Sequence, residues 1–297
     1  SRLPEIDLKK RNQRRNLDGR FGCMNQQSIK DVQNKILEIM VFIDKICREH
    51  QIVYYIMGGT ALGAARHGGF IPWDDDLDIF MTPDNYEKFK NVFNTINNDQ
   101  FVLQEWSITE NFLEYAKVRM NGTTFIEEVF KDRKEMHHGI YVDIMILHKC
   151  PTSRFMQKII YYESKFVTLV ALSQRNWKPK TGLQKVALKM LKILPNSILS
   201  NLCYKRIYKY EDLKREYAYC YWITKAKFHQ GIFDKEMFRE PVDVTFEDIL
   251  LMGPTDIKKY LELRYGDYMK LPSEESRKAA VHAEVFDISK DYREYIL

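Results

Sequence analysis

Gly58-Gly-Thr-Ala-Leu-Gly-Ala-Ala-Arg-His-Gly-Gly-Phe-Ile-Pro-Trp-Asp-Asp-Asp-Leu-Asp-Ile-Phe80 decides how this chain is read. A β-branched and aromatic run over residues 52–57 predicts a buried strand, and it stops abruptly at Gly58-Gly59. Residues 60–66 then predict a short helix opening on that turn. Glycines at a strand-to-helix turn let backbone N–H groups approach a phosphate, and the positive end of the helix favours an anion. Gly58, Gly59 and Thr60 are therefore candidate phosphate contacts. No Gly-Lys-Ser/Thr follows, so this is not a P-loop, and the G-x-G-x-x-G spacing of a dinucleotide site is absent.

The second half of the stretch is acidic. Asp74, Asp75, Asp76 and Asp78 lie among Trp73, Leu77, Ile79 and Phe80. Carboxylates crowded into an apolar setting repel one another, and some are forced to keep their protons unless a counter-charge intervenes. A divalent cation removes that conflict. On a strand Asp76 and Asp78 point to the same side, because side chains alternate with period two. A third carboxylate from a neighbouring strand completes a hard oxygen site suited to Mg²⁺ or Mn²⁺. Asp143, in Tyr141-Val-Asp-Ile-Met-Ile146, is the candidate for that third position.

Outward from this centre, Ile29, Val32, Ile36, Ile39, Met40, Ile43 and Cys47 recur at spacings of three and four, an amphipathic helix that Ser28 can cap. Thr82 followed by Pro83 is a strong helix start, with Tyr86, Phe89, Phe93 and Ile96 as its apolar stripe. Residues 101–105, 114–120, 124–129 and 139–147 predict strands, and Asn121-Gly122 predicts a hairpin between the second and third of these. Beyond Arg154 the pattern turns mainly helical. Near the end, residues 255–264 predict a helix closed by Gly266.

At 297 residues, with 45% hydrophobic and 29% charged residues, the chain suits an ordinary globular protein and excludes disordered, collagen-like or disulfide-scaffold classes. No apolar run approaches the length of a spanning helix, and the basic N-terminus lacks the apolar core of a signal peptide. Cys23, Cys47, Cys150, Cys203 and Cys220 are odd in number with no C-x-x-C pair, which reads as reduced thiols in a cytosolic protein. His137, His138, His148 and Cys150 lack the spacing of a structural zinc site. The net charge of +5 conceals a division: residues 154–227 hold sixteen Lys/Arg against four acids, so the remainder is net acidic. Interleaved with aliphatic and aromatic residues, these bases suit either a solvated basic face or an anionic membrane surface. No nucleic-acid motif accompanies them.

The stretch from Gly58 to Ile79 closely resembles the signature of the LicD family, bacterial phosphocholine and related phosphoryl-alcohol transferases allied to the fukutin-related sugar-phosphate transferases. Lys117-Val-Arg119 with Thr123-Thr124, His138-Gly-Ile-Tyr-Val-Asp143, and Tyr265-Gly-Asp-Tyr-Met-Lys-Leu-Pro272 followed by His282 extend the resemblance. It implies an α+β fold: a nucleotidyltransferase-like core with a short mixed sheet flanked by helices, and a mainly helical C-terminal half. The expected organisation is a basic segment 1–25, a catalytic core 26–150, a basic helical region 151–228, and a segment 229–297 packing on the core.

The implied reaction transfers a phospho-alcohol, phosphocholine foremost, from a CDP-activated donor such as CDP-choline to a sugar hydroxyl of a cell-surface glycan precursor, releasing CMP. Asp76, Asp78 and Asp143 would be both metal ligands and catalytic residues, with Mg²⁺ or Mn²⁺ as cofactor. Gly58, Gly59, Thr60, Arg66, His67, Trp73, Asp75, Lys117 and Arg119 would contact substrate or phosphate. A lipid-linked glycan acceptor would place the enzyme in the cytoplasm, peripheral on the inner face of the bacterial membrane. Three alternatives stand beside this: glycerol- or ribitol-phosphate transfer to capsule or teichoic acid, transfer of CMP itself, and a non-catalytic basic membrane-binding module.

Overall fold

The computed structural model of the chain describes residues 26–105, 115–128, 130–173, 181–193, 196–222, 227–278 and 282–296. The expected basic segment 1–25, with Cys23, lies outside the described residues. The first helix, α1 (Gln26–Glu49), is the amphipathic one expected: Val32, Ile36, Ile39, Met40, Ile43 and Cys47 are all buried. After it come β1 (Tyr55–Ile56), α2 (Gly58–His67), β2 (Asp78–Met81), α3 (Pro83–Thr95), β3 (Phe101–Gln104), β4 (Tyr115–Met120), β5 (Thr124–Glu127) and β6 (Tyr141–Ile146). Thr82 caps α3 with Pro83 at its start, and the Thr82 hydroxyl accepts from the Asn85 amide at 2.9 Å.

Five strands form a mixed sheet in the order β1-β2-β6-β4-β3. β2 and β6 run parallel, and every other neighbouring pair is antiparallel. Alternation along the strands sorts the two faces. Ile79, Ala116, Val118, Val142 and Ile144 join the apolar cluster that α1 covers. Asp78, Lys117, Tyr141 and Asp143 occupy the opposite face. The strand at residues 52–57 is shorter than expected, and β2 begins only at Asp78, so Asp76 lies in the extended segment just before it. Asp143 N–H nonetheless donates to Leu77 O at 3.0 Å, which carries the pairing one residue further back. Asp75 and Leu77 are buried while Asp76 and Asp78 are partly exposed, so the period-two pattern holds through the segment.

The expected hairpin between β4 and β5 does not form. Gly122 turns the chain with φ of 70°, but both edges of β4 are already occupied, by β3 and β6. Asn121 spends its hydrogen bonds on the preceding loop instead: its N–H donates to Gln100 O at 2.8 Å and its side-chain amide to Asp99 O at 2.7 Å. β5 pairs antiparallel with the last strand, β12 (Ala283–Asp287).

The C-terminal half is mainly helical, with α4 (Arg154–Ser173), α5 (Gly182–Leu191), α6 (Asn196–Ile207), α7 (Ile257–Tyr265) and α8 (Glu274–Lys278). It also contains strands that the sequence pattern did not single out. β7 (His148–Pro151), β8 (Tyr217–Cys220) and β9 (Ile232–Asp234) form an antiparallel sheet, and β10 (Val242–Phe246) with β11 (Ile249–Gly253) forms a hairpin. Helices α4 and α6 with β8 enclose a second apolar cluster around Ile160, Val167, Leu199, Cys203 and Trp222. Phe233, Phe238, Phe246, Leu251, Tyr260 and Leu261 belong instead to the main cluster beside Ile56 and Phe80. Gly266, with φ of 72°, ends α7 where the sequence placed its stop, while Asp256 supplies the cap at its start.

α2 folds back tightly on the loop that follows it. A Cβ on Gly63 would sit 2.4 Å from Gly69 O and 3.2 Å from Ile71 N, both backbone atoms that cannot swing aside. Gly63→Ala is therefore expected to destabilise the protein by about 1–3 kcal/mol, read as a lower denaturant midpoint. Gly182→Ala, where the added atom meets nothing within 4 Å, should leave the midpoint unchanged.

Candidate active site

The site is assembled where β1 ends and α2 begins. Gly58 takes φ of 53°, and a Cβ there would lie 3.4 Å from Asp78 Oδ2. A Cβ on Gly59 would lie 2.7 Å from Asp74 Oδ2. Each glycine thus makes room for a carboxylate, and the positive end of α2 opens onto the acids. Three hydrogen bonds fix this junction: Gly58 N–H donates to Tyr260 Oη at 2.9 Å, Asp78 N–H to Thr60 Oγ1 at 2.9 Å, and Met57 N–H to Asp78 O at 3.1 Å. Thr60 therefore ties helix to strand, and one N–H of the glycine turn is already satisfied by Tyr260.

Across the sheet the strand register places Asp78 beside Asp143 and Asp143 beside Lys117. The buried Lys117 ammonium lies 2.7 Å from Asp143 Oδ1, 3.7 Å from Glu127 Oε2 and 3.2 Å from the centre of the Tyr141 ring. Burial opposes its charge, but Asp143 and Glu127 outweigh that and raise its pKa. Despite this contact Asp143 Oδ1 accepts no well-aligned hydrogen bond, and it is shielded from solvent.

The acids respond to burial and to one another. Burial, reinforced by Asp76 and Asp143, raises Asp78 well above the usual carboxylate range. Burial lifts Asp143 to about 6 against the pull of Lys117, and burial with Asp76 lifts Asp74 to about 8. Asp76 is raised as well, chiefly by burial and opposed by His282. The cluster thus holds more negative charge than its surroundings stabilise, and its oxygen-only donors suit a hard divalent cation. As they stand, the carboxylates do not converge: among the described residues no group of three or more His, Cys, Asp or Glu side chains is drawn together around one point. Asp143 is paired to Lys117, and Asp76 is turned toward Asp74 and toward His282, whose Nδ1 is 3.5 Å away.

Asp75 faces the other way. Its fully buried carboxylate accepts the His282 N–H at 2.8 Å and the Ala283 N–H at 3.1 Å, and its Oδ1 lies 2.9 Å from His282 Nδ1. It latches the start of β12 onto the acidic loop, and the hydrogen bond that His282 donates to Asp75 pushes the imidazole up to about 10. His282, Glu127, Tyr260 and Asp74 are site neighbours that the sequence reading did not count among its site residues. Two of them had a signal: Asp74 its place in the acidic run, and His282 its place in the resembling C-terminal motif.

The remaining candidates are dispersed. Arg66 Nη1 donates to Tyr268 O at 2.9 Å and so holds the segment after α7. The His67 ring meets Trp73 edge-on at 5.9 Å, and the Arg277 guanidinium lies 4.8 Å from the centre of the Trp73 ring. Arg119 is buried, with Nε on Gln104 Oε1 at 2.6 Å and Nη1 on Gly139 O at 2.8 Å, so its donors brace the sheet.

Removing one member of a buried ion pair strands the other. Lys117→Met should therefore cost about 3–5 kcal/mol of stability, and adding Asp143→Asn to it should restore most of that loss. A double-mutant cycle by chemical denaturation reads the coupling; additive losses would show that the pair is not coupled.

Residues 51–169 match the family model described as LicD/FKTN/FKRP, nucleotidyltransferase domain. Over 262 residues the chain is 27% identical to the lipopolysaccharide cholinephosphotransferase LicD of Haemophilus influenzae, an alignment that covers 86% of this chain and 96% of that protein. It is also 27% identical over 131 residues to an uncharacterized protein of Rickettsia prowazekii, covering 44% of this chain and 46% of that one. Together with the glycine turn, the acids on β2 and β6, and the mixed sheet that carries them, these matches give residues 51–169 the likeness of a LicD/FKTN/FKRP nucleotidyltransferase domain and make the chain similar along most of its length to a bacterial LicD protein.

Proposed function

We propose that this protein transfers a phospho-alcohol, phosphocholine foremost, from a CDP-activated donor to a sugar hydroxyl of a lipid-linked, cell-surface glycan precursor, with release of CMP. One observation carries the reading: Asp78 and Asp143 stand side by side on parallel strands, and the Asp78 carboxylate lies against the glycine turn that opens α2. Phosphoryl transfer asks a protein mainly for positioning and for neutralising charge on oxygen. A helix N-terminus beside paired carboxylates suits both tasks. The Haemophilus influenzae relative is a lipopolysaccharide cholinephosphotransferase, which supports choline phosphate over other alcohols and a lipopolysaccharide-type acceptor.

In this reading Asp76, Asp78 and Asp143 hold Mg²⁺ or Mn²⁺. Once bound, the ion would supply positive charge to the donor phosphates and to the departing CMP. The chain's own groups do the rest. The N-terminal turn of α2, with Gly59 and Thr60, receives the diphosphate, and the absence of side chains on the two glycines leaves that approach open. The acceptor oxygen attacks phosphorus, the bond to the CMP oxygen breaks, and the hydroxyl proton passes to Asp143. Lys117 keeps that carboxylate oriented and ionised beforehand.

Incubation of the full chain with CDP-choline, CDP-glycerol or CDP-ribitol, Mg²⁺ and a lipid-linked glycan should release CMP fastest from CDP-choline, read by mass spectrometry. Asp78→Asn and Asp143→Asn should each lower that rate about a hundredfold or more, the scale of losing charge stabilisation worth several kcal/mol. Both should also weaken Mn²⁺ binding followed by electron paramagnetic resonance. Release of pyrophosphate from CTP, with CMP retained on the acceptor, would instead identify CMP transfer. Full activity in Asp78→Asn would remove the proposed catalytic cluster.

A further inference from the structure

Helix α5 carries apolar residues on two sides. Leu188, buried, and Leu191 face inward, the latter packing on the second apolar cluster. Leu183, Val186, Met190 and, just past the helix, Ile193 face outward and are 82%, 58%, 65% and 77% exposed. Their spacings of three, four and three place them on one side of a helix. Such a stripe ordinarily marks the side turned to a core, yet here the core lies on the other side. A contiguous exposed apolar strip of this kind marks a docking surface.

The charge beside the strip says what covers it. Lys185, Lys189 and Lys192 are exposed and repeat at spacings of four and three along its flank. Residues 164–210 hold ten Lys/Arg and no Asp or Glu. A second copy of the same face would bring lysine against lysine. The N-terminal 25 residues, with seven Lys/Arg against three acids, would also be repelled. A bilayer of anionic phospholipid matches both features, since it offers phosphates to the lysines and an apolar interior to the strip. Among the described residues no helix is long and apolar enough to cross a membrane, so such binding would be at the surface.

We propose that the outward face of α5 docks on an anionic phospholipid surface. Leu183, Val186, Met190 and Ile193 enter the boundary between headgroups and acyl chains, and Lys185, Lys189 and Lys192 lie over the headgroup phosphates. This shares with the proposed function the notion of a lipid-linked acceptor, but it is measured without donor or turnover, so either can fail alone.

The test is sedimentation of the full chain with phosphatidylcholine vesicles, with and without phosphatidylglycerol, at low and high salt. The wild-type chain should bind the mixed vesicles at least tenfold more tightly than the neutral ones at low salt. Lys185→Gln/Lys189→Gln/Lys192→Gln should abolish most of that difference, a loss on the order of a hundredfold for three lysines near the surface. Leu183→Ser/Met190→Ser should weaken binding at both salt concentrations. These positions are exposed, so the thermal midpoint should stay that of the wild type in both variants. Equal vesicle binding by the wild type and both variants would overturn the proposal. A change confined to self-association, seen by sedimentation velocity, would overturn it too and give the face to a second copy of the chain.

Discussion

The structure depends on a concentration of acidic side chains packed against one another and only partly open to water. Asp78 and Asp143 are neighbours on parallel strands, and Asp74 and Asp76 approach from the loop before β2. In water such carboxylates would ionise independently. Here burial and mutual repulsion lift four of them above their ordinary range, so the site is unbalanced unless positive charge is brought in. The protein provides part of that charge itself. Lys117 reaches Asp143 from β4, His282 reaches Asp75 and Asp76 from the start of β12, and α2 contributes the positive end of its backbone dipole. The remaining positive charge is left to a cation in the proposed reaction, which would also have to offset the charge of the donor phosphates.

Much of the architecture serves to hold this arrangement against its own repulsion. Of the two glycines after β1, Gly58 takes a φ that side chains disfavour, and Gly59 is where a Cβ would crowd an aspartate. Thr60 and Tyr260 take the backbone donors at the same junction, which binds α2 to β2 and to α7. Asp75, although part of the acidic run, works as an anchor: its carboxylate collects two backbone N–H groups and an imidazole, and so brings the chain's last strand against β5. A run of three aspartates thus contains two roles, and only the tertiary environment separates them.

The helical region after Arg154 has its own apolar centre. Tyr221, which follows β8, links it to the site side of the sheet, donating from its hydroxyl to Met145 Sδ at 3.3 Å and packing against Phe80. The basic character of the segment was plain in the sequence. That α5 buries one apolar side and leaves the other exposed was not, because a helical repeat of apolar residues looks the same whichever partner it awaits.

The sequence by itself determined the local devices: the glycine turn between strand and helix, the period of two that sets Asp76 and Asp78 apart from Leu77, the inward stripe of α1, the Thr82-Pro83 start and the Gly266 stop. These follow from backbone sterics and short-range periodicity, which act within a few residues. Only the tertiary structure decided the neighbours. Alternation tells which face of a strand a residue occupies, but not which strand lies beside it, since ladder hydrogen bonds form between backbones that carry no label of their own. So Asn121-Gly122 could signal a hairpin that does not form, because β3 and β6 had taken both edges of β4. By the same token, the pairing of Asp78 with Asp143, the seat of Lys117 between Glu127 and Asp143, and the latch from Asp75 to His282 were fixed by register and packing across 65 residues, 10 and 26 residues, and 207 residues of chain respectively.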